Sequence, residues 1–267
     1  MNKIELFLQE NFGVSEIGSE KSVFLPNEIF NIFDINRFKN GKHRLFAIVY
    51  YYNVCWIYRY AKTESIMSCG NSVKDTLMTM CGVGINNNKF DYIIKKNGVL
   101  DNLKITKTIS VLDSPCVYIY DGDVNFLEFE MIRDYDFFSR YSSVATFKEP
   151  LLNTKHRYIN GSKYHGTFYD IEYSIKLDMS MYLRMLIDFN MSYESIGFYI
   201  YLLSLSNFYG CEINISREQM SLDLGVSVKF ITSMKKVLKK NNLITEKNNG
   251  KNITGKNNTI RIVNGVI

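Results

Sequence analysis

The apolar and polar positions are most regularly patterned near the C-terminus, in residues 216–262. Within this stretch, residues 228–241 carry apolar side chains three and four positions apart, which is the spacing of one helix face. These apolar residues are Ile231, Met234, Val237 and Leu238. The other face carries Lys229, Thr232, Ser233, Lys235, Lys236, Lys239 and Lys240. With Ser227 as its N-cap, this stretch predicts an amphipathic helix with a cationic outer face.

A shorter helix and a hairpin are predicted on either side of that helix. Ser216 and Gln219 have the spacing of a capping box at the start of the shorter helix, and Gly225 ends it. Downstream, residues 243–245 and 259–263 have the composition of two strands, and the residues between them are mostly polar. The whole stretch therefore predicts a helix, a tight turn, a second helix and a basic hairpin.

The N-terminal half carries weaker copies of the same order. Residues 22–25 match residues 174–177 at an offset of 152, and residues 95–100 match residues 239–244 at an offset of 144. Each half also contains a long apolar, tyrosine-rich stretch. In the first, residues 45–60, helical spacing places most of the tyrosines in a core or in packing between domains. The common order predicts a tandem repeat of one structural unit with an α+β fold.

These elements resemble the winged helix–turn–helix DNA-binding domains. The resemblance is carried by residues 216–220, 224–227 and 235–244. Residues 191–204 are similar to the first helix of the version found in plasmid and phage replication initiators and replisome organisers of low-GC Gram-positive bacteria. The resemblance covers about the last 75 residues of the chain. Together with the internal repeat, it implies two winged-helix domains in tandem.

We expect a divergent N-terminal winged-helix domain in residues 1–144, a linker or loop in 145–167, and a C-terminal winged-helix DNA-binding domain in 168–267. In the first copy, the region of the recognition helix, residues 86–96, has fewer basic residues. It also carries Asp91, whose carboxylate would be repelled by DNA phosphates. We therefore expect the N-terminal domain to mediate homodimerisation or to contact DNA weakly.

Positive charge is concentrated in the C-terminal region. Residues 191–267 contain ten Lys and Arg residues and five Asp and Glu residues, a net charge of +5. The remaining 190 residues contain 22 of each class and are neutral overall. A lysine-rich helix face is also typical of plain solvation, and that alternative stays open. The basic wing and its return strand favour contacts with phosphates.

The candidate DNA contacts lie on the second helix and the wing. Residues near the N-terminus of such a helix face base edges, and here these are Lys229, Thr232, Ser233 and Lys236, with Val228 for an apolar contact. The candidate phosphate contacts are Arg217 and Lys235, together with Lys247, Lys251, Lys256 and Arg261 of the wing. Phosphate contacts position a protein on DNA, whereas base contacts specify the site.

Motifs of catalysis and metal binding are not found. The chain contains no G-x-x-x-x-G-K-[ST], G-x-S-x-G or H-E-x-x-H motif. Its five cysteines include no C-x-x-C pair. No run of about 18 apolar residues is present, and the first five residues do not resemble a signal peptide. We therefore expect a non-enzymatic, cytoplasmic protein without metal, cofactor or membrane contact.

The expected function is sequence-specific binding of double-stranded DNA by the C-terminal domain, as in a replication initiator of a plasmid or phage. A transcriptional regulator of a phage or mobile element is one alternative, and a protein–protein interaction module without specific DNA binding is another. Further partners would be the replication or transcription machinery. Whether the acidic, aromatic residues 126–145 pack on the repeats or recruit a partner stays open.

Overall fold

The computed structural model describes residues 22–70, 72–85, 87–119, 126–135, 145–159, 162–168, 174–209, 212–247 and 259–263. In these ranges helices alternate with small antiparallel sheets. The mixed α+β class predicted from the sequence is confirmed.

The helices are α1 (Ile29–Ile32), α2 (Gly41–Arg59), α3 (Thr63–Ser68), α4 (Val73–Met80), α5 (Asp91–Ile94), α6 (Val99–Asn102), α7 (Met179–Leu186), α8 (Tyr193–Tyr209), α9 (Arg217–Leu224) and α10 (Val228–Lys240). The strands are β1 (Ser22–Pro26), β2 (Thr106–Ser110), β3 (Pro115–Ile119), β4 (Phe126–Met131), β5 (Thr146–Pro150), β6 (Thr154–Ile159), β7 (Ser162–Phe168), β8 (Ser174–Asp178), β9 (Glu212–Asn214), β10 (Ile244–Lys247) and β11 (Thr259–Ile262). Short 3-10 turns occupy Ile35–Arg37, Asn88–Phe90, Val111–Asp113 and Ile132–Asp134.

The chain divides into two compact units, and neither is continuous in sequence. Unit 1 comprises the described residues up to Pro26 and those of the range 50–183. Unit 2 comprises residues 27–49 and the described residues from Arg184 onward. The first part of α2 therefore belongs to unit 2 and the rest to unit 1. The domains predicted from the sequence, in contrast, were each a single continuous segment.

The structure corrects the prediction of a linker in residues 145–167. This stretch contains β5, β6 and most of β7. Strand β5 pairs with β2, and β6 and β7 belong to a four-stranded sheet of order β3-β4-β7-β6. Ile159 of β6 pairs with Ser162 of β7, so the two strands form a hairpin. The sequence between them is Asn-Gly, which is a strong hairpin signal. The polar composition marked a hairpin and not a loop between domains.

Unit 1 is organised around the second half of α2. The side chains of Tyr51, Tyr52 and Trp56 are fully buried. The Tyr58 ring stacks on Phe147 of β5 with ring centroids 6.1 Å apart. Most tyrosines of this helix are buried in the core, which is one of the two predicted alternatives. Aromatic side chains bury a large area each, so this row supplies much of the core of the unit.

Strands β1 and β8 form an antiparallel pair within unit 1. Phe24 pairs with Lys176, and each lies at the centre of its strand. These two residues are 152 positions apart, which is the offset found in the sequence. The same offset separates Gly41 and Tyr193, the first residues of α2 and α8. Two corresponding strands are thus followed by two corresponding long helices.

Helices α4 and α9 correspond at the second offset. They begin at Val73 and Arg217, 144 positions apart, and both contain eight residues. Each follows a serine N-cap, Ser72 or Ser216, whose side-chain oxygen accepts a hydrogen bond from the N–H three residues on. This cap satisfies a backbone donor that the helix itself leaves unpaired. Capped helices thus recur at the offset found in the sequence.

The first copy departs from the second after α4. The region predicted as its recognition helix forms a 3-10 turn and the single-turn helix α5. Asn97 then has a φ of +58°, and a Cβ on Gly98 would lie 2.8 Å from three carbonyl oxygens of α5 and its end. The chain therefore turns back after one helical turn, and unit 1 has no counterpart of the long helix α10 at this position.

Asp101 of α6 connects β2 and β5 in unit 1. Its Oδ1 accepts hydrogen bonds from Lys148 Nζ and Thr106 Oγ1, both at 2.7 Å, and its Oδ2 accepts one from Thr108 Oγ1 at 2.6 Å. The side chains of Asp101 and Lys148 are only 11% and 6% exposed. Burial alone would raise the pKa of Asp101, but the hydrogen bonds from Lys148, Thr108 and Thr106 outweigh it and lower that pKa.

Replacement of Asp101 by Asn should lower the free energy of unfolding by about 3 kcal/mol, because it leaves the buried Lys148 ammonium without a carboxylate. Urea denaturation at neutral pH measures this loss. Because the pKa of Asp101 is lowered in the folded state, its contribution is present above the unfolded pKa of about 4. The contribution is then lost as the pH falls through the folded pKa. The variant should lack this component of the acid-induced loss.

Asp91→Asn is the matched control for this prediction. Asp91 pairs with Lys74 at 2.9 Å, but both side chains are substantially exposed, so its loss should cost less than about 1 kcal/mol. Equal losses in the two variants would contradict a special role for the buried pair.

Candidate nucleic-acid interface

Helices α9 and α10 of unit 2 are joined by a tight turn. Gly225 ends α9 with a φ of +63°, in the left-handed region that favours glycine. Ser227 then caps α10, and its side-chain oxygen accepts a hydrogen bond from the Phe230 N–H at 3.2 Å. The helix, turn and helix predicted from the sequence are confirmed.

A three-stranded sheet follows, in which β11 lies between β10 and β9. The hairpin of β10 and β11 was predicted, and Thr245 pairs with Arg261 in it. The third strand, β9, was not predicted. It is only three residues long, and so short a segment has no periodicity that sequence reasoning could detect. Its pairing with β11 joins the start of the helical region to the hairpin.

The inner face of α10 contains one residue that the sequence placed outside. Ile231 and Leu238 are buried as predicted, and Lys235, between them on the same face, is also only 4% exposed. Its ammonium group pairs with Glu246 of β10, which also pairs with Lys239 at 2.9 Å. The prediction that Lys235 contacts phosphate is wrong, because its charge is buried and engaged inside the protein.

The outer face of α10 presents a row of polar side chains. Lys229, Ser233, Lys236 and Lys240 are all exposed and follow one another at four, three and four positions. This spacing places them along one side of the helix. The helix therefore brings three ammonium groups and a hydroxyl group together on one continuous surface, which we call the α10 lysine face.

The other residues predicted to contact DNA differ in their exposure. The exposed ones are Arg217, Val228, Lys247 and Arg261. Thr232 is half-buried, and its hydroxyl group donates a hydrogen bond to the Val228 carbonyl oxygen at 3.0 Å. Arg261 Nε donates to Glu212 Oε1 at 2.8 Å, so part of its charge is compensated by β9. Lys251 and Lys256 lie outside the described residues.

The difference in net charge is larger between the two structural units than between the two domains predicted from the sequence. The full sequence ranges of unit 2, residues 27–49 and 184–267, contain 15 Lys and Arg residues and 8 Asp and Glu residues, a net charge of +7. The full ranges of unit 1, residues 1–26 and 50–183, contain 17 Lys and Arg and 19 Asp and Glu residues, a net charge of −2. The additional positive charge of unit 2 comes from residues 27–49, which sequence reasoning assigned to the other domain. Arg37, Lys39 and Lys42 of this segment are exposed, and their clustering in the sequence was an available signal.

In unit 1, the carboxylate expected to repel DNA is compensated. The distance between Asp91 Oδ1 and Lys74 Nζ is 2.9 Å. The negative charge of Asp91 is therefore partly compensated, and it would repel DNA phosphates less than an isolated carboxylate.

The part of the chain that the structure describes contains no group of three or more His, Cys, Asp or Glu side chains that could hold a metal ion. In the same ranges, no helix is both long enough and apolar enough to cross a membrane.

Replacement of Glu246 by Gln should lower the free energy of unfolding by about 3 kcal/mol, because the buried Lys235 ammonium loses its carboxylate. Glu218→Gln, an exposed change on α9, should cost less than about 1 kcal/mol. The double change Lys235→Met with Glu246→Leu should recover most of the loss. Denaturation midpoints measure all three, and a double variant as unstable as Glu246→Gln would argue against the buried pair.

The chain was also compared with known proteins. No protein-family model, no curated protein and no solved structure matches it. Its functional assignment therefore rests on geometry, charge and the resemblance of its sequence motifs.

Proposed function

We propose that unit 2 is a winged-helix domain that binds double-stranded DNA by placing α10 in the major groove. The observation that carries this proposal is the α10 lysine face, on a helix that a tight turn joins to α9. The major groove is wide enough to admit an α-helix. Cationic side chains along such a helix meet the phosphates on either side of the groove.

The arrangement of elements supports the winged-helix assignment. Helix α8 covers most of the residues that resemble the first helix of the family, and α9 and α10 form the helix–turn–helix. Strands β10 and β11 flank the residues proposed as the wing. The net charge of +7 on this unit favours association with a polyanion. Burial of Lys235 does not weaken the proposal, because Lys229, Lys236 and Lys240 remain exposed.

The contacts fall into two groups. Lys229 and Ser233, in the first two turns of α10, have the positions from which winged helices reach base edges. Lys236 follows on the same face. Arg217, at the start of α9, and Lys247, at the end of β10, are exposed and suited to phosphate contacts. The first group would determine sequence preference and the second would contribute affinity on any sequence.

We further propose that the N-terminal half of the chain is a divergent sequence copy of the same winged-helix fold. The offsets of 152 and 144 between corresponding elements of the two halves support this assignment. Because unit 1 has a shortened recognition region, it would serve dimerisation or a weaker DNA contact. A tandem pair of this kind favours a non-enzymatic replication initiator of a plasmid or phage over a transcriptional regulator.

Changing Lys229 and Lys236 together to Gln should weaken binding to the preferred site at least about tenfold and reduce the preference for that site over other duplexes, because two proposed base contacts are lost. The loss of two positive charges should also reduce the salt dependence, log Kd against log salt. Enrichment of bound genomic fragments identifies the site, and fluorescence anisotropy at several salt concentrations measures affinity. Lys104→Gln with Lys107→Gln, two exposed changes in unit 1, is the charge-matched control.

The arrangement of sites in the bound genomic fragments also distinguishes a replication initiator from a transcriptional regulator. Directly repeated half-sites would favour an initiator, and inverted repeats at promoters would favour a regulator. No enrichment by the wild-type protein, or equal binding by the α10 variant, would overturn the proposal and favour a protein partner.

A further inference from the structure

The start of α2 is packed against the turn between α9 and α10, within unit 2. The Gly41 N–H donates a hydrogen bond to the Gly225 carbonyl oxygen at 3.2 Å. A Cβ on Gly41 would lie 2.0 Å from the Leu224 carbonyl oxygen and 2.6 Å from that of Gly225. Contacts this short are not tolerated, so only glycine permits the approach. Backbone contacts therefore hold the first turn of α2 beside the start of α10.

Arg44, almost one turn further along α2, secures the same contact. Its Nη1 donates a hydrogen bond to the Asp223 carbonyl oxygen at 2.6 Å, and the guanidinium group also donates to the Phe30 carbonyl oxygen. The Asp223 carboxylate accepts hydrogen bonds from Tyr201 Oη at 2.6 Å and from Gln219 Nε2 at 2.7 Å. The end of α9 is thus held from two sides, and α2 supplies one of them.

Lys42 projects from this packed segment next to the α10 lysine face. It is exposed, and its Nζ lies 5.1 Å from the centre of the Phe230 ring in the first turn of α10. Phe230 directly follows Lys229 in the sequence. Among the described residues, none of the ion pairs includes Lys42. An ammonium group over an aromatic face keeps its charge, and the ring limits the positions that the side chain samples.

We propose that Lys42 contacts a phosphate of the DNA backbone that borders the groove occupied by α10. This inference rests on the proposed DNA binding by unit 2 and adds a contact from a segment some 180 positions away in the sequence. An ammonium group is a compact charge suited to a phosphate. Its position beside the first turn of α10 places it where the backbone passes an inserted helix.

The test uses the full-length chain with Lys42 changed to Gln. Binding to a fluorescein-labelled duplex of random sequence, about 30 base pairs or three helical turns long, is measured by anisotropy at several salt concentrations. Loss of one phosphate contact should weaken binding about three- to tenfold at low salt and reduce the salt dependence by about one. Lys42→Arg keeps the charge and should retain the wild-type salt dependence.

The matched control is Arg184→Gln, in the last turn of α7, where unit 2 resumes. Arg184 is exposed, and its guanidinium carbon lies 5.1 Å from the centre of the Phe189 ring. This change removes the same unit charge and the same type of cation–aromatic contact. Its salt dependence should equal that of the wild type, and denaturation midpoints confirm that all variants are folded.

The outcomes separate this inference from the proposed function. If the α10 double variant loses binding while Lys42→Gln matches the wild type, the Lys42 contact is wrong and DNA binding by unit 2 stands. If Lys42→Arg behaves like Lys42→Gln, or Arg184→Gln weakens binding equally, a specific charge contact by Lys42 is also excluded. If the wild type does not bind duplex DNA, both proposals fail together.

Discussion

The close approach of Gly41 to the carbonyl oxygens of Leu224 and Gly225 is the contact on which the candidate interface depends. A single Cβ would prevent it. Through this approach Arg44 reaches the end of α9, and Lys42 comes to lie beside α10. The segment at the start of α2 thus belongs to the surface formed by the two C-terminal helices. The tight turn after α9 and the beginning of α2 form one structural element, although they are far apart in the chain.

The lysines of α10 in unit 2 fall into two groups, one buried and one exposed. Lys235 is buried and pairs with Glu246, so it joins α10 to the sheet. Lys229 and Lys236 are exposed and available to a partner. The distinction follows from the helical period, because position 235 lies on the same face as the apolar residues that contact the core. The number of lysines in α10 is therefore larger than the number that can contact phosphates. The net charge of the unit does not show that the exposed lysines are concentrated on one face of this helix.

The two halves of the chain share the order of several elements and differ after the capped short helices α4 and α9. Corresponding strands, long helices and capped short helices recur at the offsets found in the sequence. In unit 1 the chain reverses at Asn97 and Gly98. Asp101, which follows, forms an ion pair with the buried Lys148. A long exposed helix is replaced there by short helices and an ion pair within the unit. This difference fits the roles proposed for the two units, which are DNA recognition by unit 2 and dimerisation or a weaker DNA contact by unit 1.

The sequence by itself determined the elements whose signals are local. Ser216, Gly225 and Ser227 mark the ends of α9 and α10, because caps and left-handed turns involve residues only a few positions apart. Only the tertiary structure decided that residues 145–167 form strands, that Lys235 has a carboxylate partner and that Lys42 lies beside α10. These outcomes depend on pairing between distant segments. Their energies come from burial and hydrogen bonding across the fold, which local spacing does not encode.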